Sequence, residues 1–303
     1  MASADITTEH REHAYRQMPP HPALRRHIAA YYFYSGRSRR DGPAAAVPLT
    51  FPSDGGAELV INLGPSLQAG ILDHSLTSFS GGMLIGPLSR SIRVAANRHT
   101  VFAAVRFQPG QSERFFDAPA DELSDRVLAL DLLWQAAGPR ISDRIRNAGS
   151  FEAAAARFDR AFMQRLHDTP SAGDPRITSA VGAIQAGGGR CSVDRLVGPT
   201  GLGRRQFERR FRRQTGLSPK RLCRIVRFSS VLKRLTSHPT AGWADIAAAC
   251  GYSDQAHLIR DCRYFTGRSP GAYLASQTPL EQAIFGTGEP MSHLFNTPSL
   301  SLR

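Results

Sequence analysis

The chain has 303 residues, an apolar content of 41% and a formal charge of +13 at pH 7. That length fits two domains, each large enough for its own core. No stretch reaches the ~20 apolar residues of a membrane helix, and residues 1–18 lack the apolar run of a secretory signal, so a cytoplasmic protein without a membrane partner is expected.

Residues 1–20 read as a flexible start. Short strands follow at Ile28–Tyr34, Ala57–Leu63, Gln68–Leu72, Met83–Ile85, Ser91–Ala95 and Val101–Phe107. Gly and Pro clusters such as Gly55-Gly56, Gly64-Pro65 and Gly86-Pro87 separate them, which is the pattern of a β-sandwich or small barrel. Strand alternation sends Tyr31 and Phe33 to one face and Tyr32 and Tyr34 to the other, to line a pocket or to pack a core.

A helix is predicted over Asp121–Trp134, where Leu123, Val127, Leu130 and Leu133/Trp134 recur at helical spacing. Ser150 is a candidate N-cap for a helix running to about His167. Its apolar stripe is Phe151, Ala155, Phe158, Phe162 and Leu166. The stripe suits pairing with a second subunit, and equally packing on the chain's own β-domain. Residues 21–168 are read as an effector-sensing and dimerisation domain, 169–175 as a linker rich in Pro and small residues, and 277–303 as a flexible tail.

Residues 176–276 form the remaining domain, and the charge lies there. Asp174 to Ser276 holds 18 Lys and Arg against 6 Asp and Glu, so nearly the whole excess falls on one segment. A local positive field of this size favours a polyanion, with counterion release driving binding. All four cysteines, Cys191, Cys223, Cys250 and Cys262, also lie there. None is in a C-x-x-C pair, so reduced, buried thiols are expected, with neither metal nor cofactor.

The same segment carries a pattern twice. The first copy runs from Gly201-Leu202-Gly203 through Phe207 and Phe211 to Thr215-Gly216-Leu217-Ser218-Pro219. The second runs from Gly251-Tyr252-Ser253-Asp254 through Leu258 to Thr266-Gly267-Arg268-Ser269-Pro270. Each follows a short apolar helix, Val193–Val197 and Ile246–Cys250. Helix, Gly turn, helix and a Ser-Pro restart make a helix-turn-helix unit, which can set its second helix in a major groove.

These residues, with Leu196-Val197, Arg209, Ile246-Ala247, Gln255, His257, Arg260 and Tyr273, resemble the DNA-binding domain of AraC/XylS-type transcriptional regulators. The resemblance implies a long helix joining the two units, for which Pro219–Leu235 fits. It places Arg204, Arg205, Glu208 and Arg209 on the first recognition helix, and Gln255, His257 and Arg260 on the second. Arg pairs with guanine, Gln with adenine and Glu with cytosine, but phosphate contacts compete for any one of them. Ser218 and Ser269 would cap helices whose free N–H groups grip phosphate, and Arg210, Arg212 and Arg213 would meet phosphate or solvent. Three residues depart from the family pattern: Gly203 lacks a capping side chain, Pro199 should stop the preceding helix, and Cys262 stands where a Phe is usual.

The expected fold class is α+β: an N-terminal β-barrel or sandwich with trailing helices, which the resemblance implies is cupin-like, then an all-α domain of two helix-turn-helix units on the long helix that the resemblance implies. The expected function is sequence-specific regulation of transcription, modulated by a small-molecule effector whose binding residues are not singled out. Double-stranded DNA is the expected partner, joined by the effector, a second copy of the chain and, for an activator, RNA polymerase. The alternatives are an enzyme fused to a DNA-binding domain and an architectural DNA-binding protein. A metal-dependent cupin needs clustered ligands, whereas His74 and His99 are isolated. An alkyl-transfer or amidase-like module needs a Cys nucleophile, and none precedes Cys191. The chain is therefore not expected to be an enzyme. An architectural protein would need no N-terminal domain of this size.

Overall fold

The computed structural model describes residues 13–36, 47–96, 99–169, 173–238 and 241–276. The tail predicted for 277–303 lies outside them, as do most of the predicted start, 1–20, and the middle of the predicted linker.

The N-terminal part is β-rich. Its strands are β1 (His13–Met18), β2 (Ile28–Gly36), β3 (Val47–Phe51), β4 (Glu58–Asn62), β5 (Leu67–Ile71), β6 (Thr77–Phe79), β7 (Gly82–Ile85), β8 (Ile92–Ala96) and β9 (Val101–Phe107). Helices α1 (Glu113–Phe116) and α2 (Ala120–Leu123) lead to strand β10 (Val127–Ala129), then to α3 (Asp131–Trp134), α4 (Ala137–Arg146) and α5 (Phe151–Asp168). Six strands form one sheet in the order β1-β2-β9-β4-β7-β10, and four form a second in the order β3-β8-β5-β6.

The large sheet is buried on both faces, and side-chain alternation decides what each face meets. Tyr32, Tyr34, Val60, Met83, Ile85, Phe102 and Ala104 point at the small sheet, where Leu67, Ile92 and Val94 meet them. Tyr31, Phe33, Leu59, Ile61, Val105 and Phe107 point the other way and pack on α1, α3, α4 and α5. The architecture is thus two sheets and a layer of helices.

Three expectations need correction. His13–Met18 was read as part of a flexible start, yet it pairs antiparallel with β2 as an edge strand. The helix over Asp121–Trp134 is broken into α2, β10 and α3. Asp125 has φ 54°, which no helix allows, and Val127–Ala129 is captured by β7 as the last strand of the large sheet. Lastly, the stripe Phe151, Ala155, Phe158 and Phe162 is buried in the chain's own core, with Leu166 packed at its edge. It is not available to a second subunit. Ser150 does cap α5, its Oγ accepting from the Ala153 N–H.

The C-terminal part is all helical: α6 (Pro175–Ala186), α7 (Val193–Val197), α8 (Arg204–Thr215), α9 (Pro219–Ser237), α10 (Trp243–Ala249), α11 (Gln255–Thr266) and α12 (Pro270–Ser276). Helix α9 serves two cores. Leu222, Cys223, Ile225, Phe228 and Leu232 pack with α6, α7 and α8, whereas Val231 and Leu235 pack with α10 and Tyr252. Cys262 is buried in the first of these cores, beside Phe265.

Asp174 starts α6. Its carboxylate caps the Arg176 N–H at 3.0 Å and binds the Arg176 and Arg210 guanidinium groups at 2.8 and 2.9 Å. Arg176, then Arg210, hold this carboxyl well below the usual carboxylate range. A depressed folded-state pKa gives stability that is present above the unfolded value near ~4 and is lost as pH falls through the folded one. Stability measured by urea titration at pH 6, 4 and 3 is therefore expected to fall more steeply for the native chain than for Asp174→Asn. Equal slopes would remove Asp174 from the acid response.

Candidate nucleic-acid interface

The first unit is α7, a turn and α8. Ser192 Oγ caps α7 by accepting from the Arg195 N–H at 3.4 Å. Pro199 sits in a short 3-10 turn, Gly198–Thr200, directly after α7. Gly201 then takes φ 66°, a left-handed conformation that costs a residue with a Cβ. Gly203 offers no side-chain cap to α8. Phe207 and Phe211 are fully buried and face each other at 5.5 Å. Their burial turns the opposite side of the helix outward, and Arg204, Arg205, Arg209 and Arg212 are exposed there, with Glu208 half-buried.

The second unit is α10, a turn and α11. Gly251 repeats the left-handed turn at φ 77°. Asp254 caps α11 by accepting from the His257 N–H at 2.6 Å. That hydrogen bond is the main reason its carboxyl lies below the usual range. Leu258, Cys262 and Phe265 are buried, and Gln255 and Arg260 are exposed.

The structure separates the candidate residues into groups. Arg204 pairs with Asp194 of α7 at 3.0 Å and with Glu208, one turn along α8, at 3.2 Å, both as exposed surface pairs. His257 is half-buried, edge-on to Tyr252 at 5.0 Å, with Nδ1 3.2 Å from Ser253 Oγ. Ser218 and Ser269 accept from the Arg221 and Ala272 N–H groups, as N-caps do. Arg210 was expected to meet phosphate or solvent; it is instead paired with Asp174. Ala256 and Arg263 share the exposed side of α11 with Gln255 and Arg260. The sequence reading passed over both, although the buried spacing of Leu258, Cys262 and Phe265 was signal enough to place them.

Both units touch the β-rich part. Gln214, near the C-terminal end of α8, is buried. It accepts from the Asp174 N–H at 2.9 Å and donates to Thr178 Oγ1 at 3.1 Å and to the Gly110 carbonyl at 3.4 Å. Gly216 ends α8 with φ 76°, and a Cβ there would lie 2.7 Å from the Ala120 carbonyl and 3.0 Å from Pro87. At the second unit, Arg90 Nε donates to the Tyr264 carbonyl at 3.2 Å, and Ser91 Oγ donates to the Phe265 carbonyl. Gly55 packs against Leu222 of α9.

Between the two sheets lies a cavity of about 60 Å³, walled by Val60, Leu67, Met83, Leu88, Val94 and Phe102, with Asp54, Glu58 and Arg106 at one side. Asp54 and Leu88 belong to the two loops that carry Gly55 and Pro87-to-Ser91, so the segments lining the cavity also hold both helix-turn-helix units. Among the described residues, no group of three or more His, Cys, Asp or Glu could hold a metal ion. No helix there is long and apolar enough to cross a membrane.

Residues 196–276 match a family described as a helix-turn-helix domain, and residues 16–129 match one described as a domain of unknown function (DUF6597). No curated protein matches the chain. ToxT from Vibrio cholerae O395 is similar at 12% identity and a TM-score of 0.44, over 78% of this chain and 95% of that one. ToxT from Vibrio cholerae strain SCE256, with a bound unsaturated fatty acid, is similar at 10% identity and a TM-score of 0.45, over 78% and 93%. The DNA-binding domain of the global transcriptional factor AdpA, solved with a target DNA, is 26% identical over 33% of this chain and 91% of that one, with a TM-score of 0.31.

Proposed function

We propose that this chain, a DNA-binding transcription regulator whose residues 196–276 are an AraC-type helix-turn-helix domain, reads two successive major-groove segments and is controlled by a small molecule held between its sheets. The observation that carries the DNA part is the pair of exposed polar helix faces, on α8 and α11, in the segment holding nearly all of the net positive charge. Arg205 and Arg209 are the base-reading candidates on α8, with Arg212 toward phosphate. Gln255 and Arg260 take that part on α11, and the helix starts at Ser218 and Ser269 are suited to phosphate. Arg204 and Glu208 act as a pair, and His257 contributes from a half-buried position.

The effector part is supported by the shared loops. A cavity of about 60 Å³ is smaller than the ~150 Å³ that admits a benzene-sized guest. An occupant must therefore push Met83, Leu88 or the flanking loops outward. The same loops hold Tyr264, Phe265, Gly216 and Leu222 in place, so filling the cavity shifts how the helix-turn-helix units are seated.

Purified protein would be used to select fragments of sheared genomic DNA at near-physiological salt, with footprints on what is recovered. Two protected major-groove segments about one turn (~34 Å) apart per protomer are expected. Diffuse protection without a shared site would favour an architectural role instead. Arg209→Ala is expected to weaken a selected site by about 1–3 kcal/mol and to relax preference at one base pair. An equal loss on every sequence would mark Arg209 as a phosphate contact.

A further inference from the structure

The cavity between the sheets carries a charge pattern that selects its occupant. Its walls are apolar, and its ionic groups are confined to one side. There Arg106 of β9 lies directly across from Glu58 of β4 in the strand register. Its Nη2 and Nε stand 2.6 and 2.8 Å from Glu58 Oε1, and Nε is also 3.2 Å from Asp54 Oδ2. The Tyr32 ring lies 5.2 Å from the same guanidinium. Arg106 thus pairs with both carboxylates, and among the described residues it is the sole basic residue lining the cavity. The lining among the described residues is one formal charge negative.

We propose that this cavity takes an apolar small molecule whose polar end is a neutral or cationic hydrogen-bond donor, such as a hydroxyl or an ammonium, and that it rejects carboxylates. This rests on reading the cavity as the effector site. A ligand carboxylate would face Asp54 and Glu58 as like charges while Arg106 is committed to both. Glu58 and Arg106 are only 20% and 23% exposed, so water screens the repulsion at Glu58 less than at Asp54, which is 40% exposed. A hydroxyl or ammonium instead donates to the remaining carboxylate lone pairs and leaves the Arg106 pairs intact. Selection here works by an unfavourable contact built against one ligand class.

The test uses the full chain with methyl-labelled methionine and three probes of one skeleton: 4-phenylbutan-1-ol, 4-phenylbutylammonium and 4-phenylbutanoate. Binding is read from the Met83 methyl signal. The alcohol and the ammonium are expected to bind at least about tenfold more tightly than the carboxylate. Asp54→Asn with Glu58→Gln keeps the shape and releases Arg106 from both ion pairs, so the order should reverse in favour of the carboxylate. Should that double variant not fold, Asp54→Asn alone, in a loop, should narrow the gap. A native chain that prefers the carboxylate, or a variant with unchanged preference, would overturn the ligand class while leaving the cavity a ligand site. If none of the three moves the Met83 signal of folded protein, the effector reading itself falls.

Discussion

Truncating Phe162 to alanine is expected to destabilise the β-rich part by about 3–5 kcal/mol, the usual cost of removing a buried aromatic side chain and leaving a cavity. Phe162 is fully buried, and four rings surround it: Phe115 at 5.2 Å, Phe107 at 5.5 Å, Trp134 at 5.9 Å and Phe158 at 6.2 Å. Phe107 comes from the large sheet, Phe115 and Trp134 from short helices, and Phe158 from one turn back along α5. Losing the central ring loosens the seam between sheet and helices. Urea unfolding would show the lower midpoint, and sedimentation would show no change in assembly for the protein that remains folded. A normally stable variant with altered assembly would return the α5 stripe to a subunit contact.

Arg224→Ala is expected to cost the helical part about 3 kcal/mol, the low end for stranding a buried charge. Asp261 is 2% exposed, and its Oδ1 accepts from Arg224 Nη2 at 2.6 Å and Nε at 3.2 Å. The Arg224 guanidinium also lies 4.8 Å from the Tyr264 ring. Its outer side still meets water, which keeps the cost at that low end. The pair ties α9 to α11, so its loss should loosen the second unit on the joining helix, which Val231 and Phe228 still hold. Thermal melting would register the loss, and Arg224→Ala combined with Asp261→Ala should recover part of it, because no carboxylate is then left without a partner. A single variant within about 1 kcal/mol of the native chain would mean that water already solvates the pair.

The helical part was legible because its signals are local. Gly201 and Gly251 announce turns, Ser218-Pro219 and Ser269-Pro270 announce helix starts, and the predicted Val193–Val197 helix is α7 without a residue's difference. The β-rich part was legible in its central strands, where Val101–Phe107 was likewise read correctly, and in the alternation of Tyr31 to Tyr34. It failed where tertiary pairing decides. Val127-Leu128-Ala129 has helical apolar spacing on both sides, and only the β7 edge makes it a strand. His13–Met18 is polar and looks loose until β2 pairs with it. The ionic side of the cavity was missed for the same reason: Arg106 is far along the chain from Asp54 and Glu58, and it meets Glu58 only through the β4–β9 register. His257 fits the family motif by position, but its half-buried stance depends on Tyr252 and Ser253, which no spacing rule conveys.

Helix α9 belongs to both helical cores at once, and its 19 residues span ~28 Å as a single rod. On the proposed two-groove reading, a rod of fixed length sets the phase between α8 and α11. One base pair added between two target segments turns the second by about a tenth of a helical repeat and moves it ~3.4 Å along the axis. The protein must then bend the duplex or let go with one helix. Sites with unchanged bases but a different spacer would thus be discriminated mechanically, by a ruler made of Leu222, Ile225, Phe228, Val231 and Leu232.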